Sequence, residues 1–212
     1  MKKTAIALAL GVAMASCNNK EKKAEVNLKD STTTSQTEPS KTSGSVTATE
    51  IDWKTIPEVK EIGEFPFFKA PEGIKIVDEK AGLTDVFENE MLENYTGTGV
   101  YTTKGKLGII AFADEKSQNF NQRFFNQELT DYISKIGAKQ LYSGNYPAND
   151  TANEALRQKL KGNIWNGKGH TFALSDDEPF AVYAFRNNGK NYIVNVQTNS
   201  AQGYIFIMEL KA

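Results

Sequence analysis

The chain has 212 residues, with 25 Lys and Arg against 26 Asp and Glu, a net charge of −1, one cysteine and one histidine. A near-neutral balance supplies no electrostatic footprint for nucleic acid, which calls for clustered positive charge. A lone Cys17 and a lone His170 leave no disulfide framework, no thiolate zinc site and little basis for Ser-His catalysis.

Residues 1–16 read as an export leader, with basic Lys2 and Lys3, an apolar stretch from Thr4 to Ala15, and small residues before Cys17. The stretch is shorter than the roughly 20 residues that a bilayer-spanning helix needs. A cysteine just after the cut can carry lipid on its thiol and, once freed, on its amino group. The run Met14-Ala15-Ser16-Cys17 resembles the lipobox of bacterial lipoproteins, in which Leu is commoner at the Met14 position. The alternative is an ordinary cleaved signal with an incidental cysteine. Loss of residues 1–16 removes Lys2 and Lys3, leaving 23 basic against 26 acidic residues and a net charge of −3. Each buried CH₂ contributes about 0.8 kcal/mol and one acyl chain is marginal, so several chains on Cys17 make a stable membrane anchor. Asn18 stands where enteric bacteria place the Asp that retains a lipoprotein in the inner membrane, which points to the outer membrane.

Residues 17–50 are expected to form the lipidated cysteine and a disordered tether. From Ser31 to Thr49 the chain is mostly Ser and Thr, with only Val46 and Ala48 apolar. Such a stretch buries too little surface to offset its ordering entropy. As a flexible coil it reaches on the order of 30 Å, enough to hold a folded part away from the membrane. Aromatic residues begin abruptly at Trp53, so residues 51–212 are expected to form a single globular domain, long enough for one core of its own.

Within that domain, Phe65-Pro66-Phe67-Phe68 is read as the edge of the core, with Phe65 pushed extended by the proline. The run Gly73–Val77 predicts a short strand. Gly99–Thr103 and Lys106–Ala113 predict two strands around a tight turn at Lys104-Gly105. Phe125, Leu129, Tyr132, Ile133 and Ile136 then fall on one face at helical spacing, with Ser117 as the cap and Gly137 as the stop. Lys139–Tyr142 predicts a strand. Thr151-Ala-Asn-Glu154 reads as a capping box opening a second helix that stops at Gly162. Four further strands are predicted over Thr171–Leu174, Phe180–Arg186, Asn191–Gln197 and Tyr204–Leu210. The sum is an α+β fold, an antiparallel sheet with about two helices packed on it, the first of them lying over one face.

Candidate chemistry is sparse. His170 with Asp176, Asp177 and Glu178 is the one cluster that suggests a metal or acid–base site, and its acids precede Pro179 as a solvated turn would. A calcium loop supplies more oxygens at defined intervals. The Gly-rich run Gly162 to His170 carries Trp165 and Lys168 and lacks the spacing of a phosphate loop. Trp165, Lys168 and His170 are the candidate ligand-binding residues, with Trp165 able to stack on a sugar or a partner side chain; the structural alternative packs Trp165 back over the sheet. No G-x-S-x-G or S-x-x-K motif occurs, so no catalytic residue, metal or cofactor is assigned. Asp30-Ser31-Thr32 and Asp150-Thr151-Ala152 match a short acceptor pattern for O-glycosylation in Bacteroidota envelopes, placing Ser31 and Thr151 as candidate positions.

The order of Phe65-Pro-Phe-Phe-Lys-Ala-Pro-Glu-Gly73, the Phe120–Ile136 helix ending in Asp131-Tyr-Ile-Ser-Lys-Ile-Gly137, and the C-terminal strands resembles a domain of Bacteroidota envelope proteins. There it precedes an OmpA-like peptidoglycan-binding domain; none follows in this sequence, so peptidoglycan binding is not expected. The resemblance implies an envelope protein and carries over no catalytic or binding residue. The expected function is a lipid-anchored, non-catalytic module that binds an envelope protein or glycan partner or a small ligand. The rivals are a hydrolase using the acids at 176–178 and a passive structural lipoprotein.

Overall fold

A computed structural model of the protein describes residues 50–60, 62–77, 84–116, 118–163 and 178–211. Its elements run β1 (Ile74–Ile76), β2 (Asp85–Tyr95), β3 (Val100–Asp114), α1 (Gln122–Ile136), β4 (Lys139–Gly144), α2 (Glu154–Asn163), β5 (Phe180–Asn187), β6 (Lys190–Thr198) and β7 (Gly203–Leu210), after a 3₁₀ turn at Trp53–Thr55. The strands make one seven-stranded antiparallel sheet ordered β1-β3-β7-β6-β5-β4, with β2 also on β3. The α+β expectation holds. Strand β3 is the spine: β7 pairs along residues 105–112, while its other edge takes β2 along 100–109 and β1 along 112–114. Between β5 and β6, Asn188 and Gly189 both have positive φ, 50° and 75°, as a two-residue hairpin with the twist of its strands requires.

The hairpin expected at Lys104-Gly105 is not there. Both residues lie inside β3, and the turn falls earlier, over residues 96–99, joining β2 to β3. Gly105 serves close approach instead: a Cβ on it would sit 1.9 Å from the Glu209 carbonyl oxygen of β7. Strand β2 itself was hidden because a bulge between Phe87 and Glu90 breaks its alternation.

The helix starts also differ from expectation. Ser117 lies outside the described residues, and α1 is capped by Asn121, whose side chain accepts from the Phe124 N–H at 3.1 Å. Gly137 does end α1 in the left-handed region, with φ 79°. Residues 151–153 form a turn, because the Asp150 carboxylate takes the Asn153 N–H at 2.9 Å and closes it locally. Helix α2 therefore begins at Glu154 and not at the Thr151 capping box. The strand expected over Thr171–Leu174 lies outside the described residues.

Both faces of the sheet are buried. On one, Phe125, Leu129 and Ile133 of α1 pack on Ile110, Phe112, Val194, Ile205 and Ile207. On the other, Leu107, Ile109, Phe206 and Met208 meet Leu92 of β2 and Leu160 of α2, beside Val182, Ala184 and Ile193. Alternation along β3 and β7 thus sends successive apolar side chains into different cores, each large one contributing roughly 1.5–3 kcal/mol. The β2–β3 end runs past the end of β7, where Leu210 pairs with Gly105, and folds across the second face. There the Asn195 Nδ2 donates to Asn94 Oδ1 at 2.7 Å, and the Tyr95 ring meets Tyr142 of β4 at 5.1 Å, so the two sheet edges come together.

Candidate functional site

The first face is covered by α1 and by an irregular segment, residues 62–71. Its core is the run Phe65-Pro66-Phe67-Phe68, in which Phe67 and Phe68 are buried and Phe65 and Pro66 half-buried, as the core-edge reading expects. The Phe65–Pro66 peptide is cis. Phe67 has φ 70°, and the Phe68 N–H donates to the Pro66 carbonyl at 2.9 Å. That is a γ-turn of the positive-φ kind, rare and strained for a side chain of this size. Packing holds it: the Phe67 ring makes edge contacts with Phe65, Phe185 and Tyr192, at 5.6, 5.8 and 5.2 Å. Phe65 and Pro66 in turn rest on Gly108, where a Cβ would lie 2.9 Å from the Phe65 ring.

Between this segment and α1 runs a groove of about 720 Å³, within the usual size of a small-ligand site. Phe112, Phe125, Leu129 and Ile205 form its floor, and Phe67, Phe68, Ala70 and Pro71 one wall. Tyr132 of α1 spans it. Its hydroxyl donates toward the Phe67 carbonyl at 3.3 Å and the Ile62 carbonyl at 3.5 Å, and its ring meets Phe68 edge-on at 5.3 Å. Burial pushes the Tyr132 hydroxyl above its ordinary pKa, so it stays protonated and a donor at neutral pH. Glu64, Lys69 and Glu128 bring charge to the lining. An apolar wall with few polar groups is the usual lining of a small-ligand site. Among the described residues of the lining, no nucleophile–base pair is formed.

Two polar clusters lie elsewhere. Asn94, fully buried, donates through Nδ2 to the carbonyls of Leu92 and Tyr101 and to Thr103 Oγ1, at 3.1, 2.9 and 3.1 Å. It ties the β2–β3 end together and, through Asn195, to the sheet. Glu209 accepts from Lys190 Nζ at 2.7 Å and from the Tyr192 hydroxyl at 2.8 Å. Burial pushes the Glu209 carboxyl up, but these bonds and the charges of Lys190 and Lys106 outweigh it and hold the pKa below the ordinary value. Burial, then the bond to Glu209 and its charge, push the Tyr192 hydroxyl well up. Both clusters are structural joints.

Cys17, Ser31, Trp165, Lys168, His170, Asp176 and Asp177 lie outside the described residues. Glu178 is half-buried, and its carbonyl accepts from Gln197 Nε2 at 2.9 Å. Thr151 is exposed in the turn before α2. Among the described residues, no group of three or more His, Cys, Asp or Glu is placed to hold a metal ion, and no helix is long and apolar enough to cross a membrane. The groove was missed as a site because each of its residues reads singly as core. The signal was the Phe run followed by Pro71, together with Tyr132 seven residues after Phe125 on the helix face.

No protein-family model matches the chain, and no solved structure matches it.

Proposed function

We propose that this protein is a lipid-anchored module of the bacterial cell envelope, held through Cys17 in the outer membrane, whose α+β domain binds an apolar group in the groove between residues 62–71 and α1 and performs no reaction on it. The observation that carries the binding half is the groove itself: an apolar floor and wall of about 720 Å³, spanned by Tyr132, with the strained Phe67 turn in its side. The lipobox-like run Met14–Cys17 after an apolar leader supports the anchor.

The test places a photo-crosslinking amino acid at Ala70, in the groove wall, in the lipidated protein in its native cells, with the same label at exposed Gln127 on the outer side of α1 as control. The expected result is one dominant adduct from Ala70 that Gln127 does not give. Identical, diffuse adducts from both positions overturn the reading. Cys17→Ala is expected to move the protein from the membrane to the soluble fraction; retention in the membrane sinks the anchor.

A further inference from the structure

The turn between β5 and β6 sets a reactive dipeptide beside a structural clip. Among the described residues, Asn188 is the one asparagine that a glycine follows. Both residues of the pair are exposed, and apart from chain neighbours no atom lies within 4 Å of where a Cβ on Gly189 would stand. With no side chain to crowd it, a glycine nitrogen is open to the side-chain carbonyl carbon of the asparagine before it. The Asn188 Nδ2 donates to Asn187 Oδ1 at 3.1 Å. Asn187 is buried, and its own Nδ2 donates to the Val59 carbonyl at 2.8 Å. Beside that bond, the Val59 N–H donates to the Arg186 carbonyl at 2.7 Å and the Arg186 N–H to the Pro57 carbonyl at 2.8 Å. Together these bonds fasten residues 57–59, which lead into the groove segment, to the end of β5.

We propose that Asn188 is a site of spontaneous deamidation, and that its products weaken the fastening of residues 57–59 to β5. The Gly189 backbone nitrogen attacks Asn188 Cγ, the Cγ–Nδ2 bond breaks, and ammonia leaves carrying the proton of the Gly189 N–H. A cyclic succinimide remains. One water opens it at either carbonyl, leaving aspartate or isoaspartate, with nothing oxidised or reduced. In both products the amide donor is gone, so Asn187 Oδ1 loses the hydrogen bond it accepts. The buried Asn187 amide then turns toward another donor at the expense of its bond to Val59. Isoaspartate also adds a backbone carbon to a two-residue turn whose strands are in register from Asn187↔Lys190 to Phe180↔Gln197.

The experiment ages the folded full chain in mildly alkaline buffer and maps its peptides by mass spectrometry, with a method that separates isoaspartate from aspartate. The expected result is conversion at Asn188 ahead of every other described asparagine, and none at this position in Asn188→Gly, which keeps a residue suited to the positive φ of the turn. Conversion elsewhere first, or at Asn188 only in urea, overturns the site. The second readout is amide hydrogen exchange of Asn188→Asp, which carries one product without ageing. Exchange at the Val59 and Arg186 amides is expected to rise about two- to tenfold, as the loss of one hydrogen bond requires. Exchange equal to the parent's at both amides overturns the link to residues 57–59.

Discussion

The two faces of the sheet are covered in different ways. One is closed by regular structure: the β2–β3 end folds over it, α2 sets Leu160 into it, and Asn94 satisfies backbone carbonyls from inside. The other is covered by α1 and by an irregular segment that the helix holds through one hydroxyl, Tyr132, and a few ring contacts. Regular pairing brings its own hydrogen bonds. An irregular cover leaves a groove where its path departs from the helix, and it keeps Phe67 in a strained conformation that the surrounding rings and local hydrogen bonds sustain. The groove lies where the cover is least regular.

Truncating a large core residue on each face tests that difference most strongly. Phe206→Ala opens a void in the closed face, and we expect a loss of about 5 kcal/mol. Phe112→Ala removes a residue that floors the groove, where solvent or neighbouring rings fill the space, so the loss falls nearer about 3 kcal/mol. Chemical denaturation of both variants measures it, and equal losses break the distinction. The polar fastenings come next. Asn94→Ala strips donors from buried carbonyls and costs roughly 2–3 kcal/mol, whereas Tyr132→Phe, at a half-buried and long hydrogen bond, costs about 0.5–1 kcal/mol. Comparable midpoints for these two variants would mean that the segment is held as firmly as the hairpin.

Much of the closed architecture was legible in the sequence. The three C-terminal strands are apolar runs bounded by turn residues, Asn188-Gly189 marks one of those turns, and Phe125, Leu129 and Ile133 show the helical period that ends at Gly137. The features that escaped are those where a local rule met a tertiary contact. Gly105 carries the mark of a turn but answers to the Glu209 carbonyl of a strand about 100 residues away. Thr151 fits a capping box, yet Asp150 closes residues 150–153 into a turn of their own through the Asn153 N–H. The groove is a space between two segments, and no periodicity within either one encodes it. The residues of its floor and wall were visible as apolar, and apolar residues read singly as core.

A smaller effect isolates the strain in the segment. With φ 70° at position 67, an alanine keeps the Cβ that makes this region costly, and a glycine removes it. Both Phe67→Ala and Phe67→Gly lose the ring, so the loss of packing is shared and their difference reports the backbone. We expect the glycine variant to be the more stable of the two by about 1 kcal/mol, the reverse of the usual order within regular structure. Thermal melts of the pair decide it; an alanine variant equal to or above the glycine variant would remove strain from the account of the groove wall.

The smallest effect lies where the two covers share a strand end. Glu209 of β7 accepts from Lys190 and Tyr192, and Tyr192 packs against Phe67 of the groove segment. Its carboxyl is held below its ordinary pKa in the folded protein. A group depressed in this way stabilises fully above its unfolded value, and that contribution drains away as pH falls through the folded value. The window therefore opens just below the ordinary carboxylate range and extends to lower pH. Because Lys190 is largely solvated, the whole contribution stays below about 1 kcal/mol. In Glu209→Gln the melting temperature at neutral pH drops slightly and its fall toward acid becomes shallower. If the variant instead keeps the parent's full acid slope, the lowered pKa of Glu209 contributes nothing to folding, and the joint between β7 and the segment rests on the Tyr192 and Phe67 rings alone.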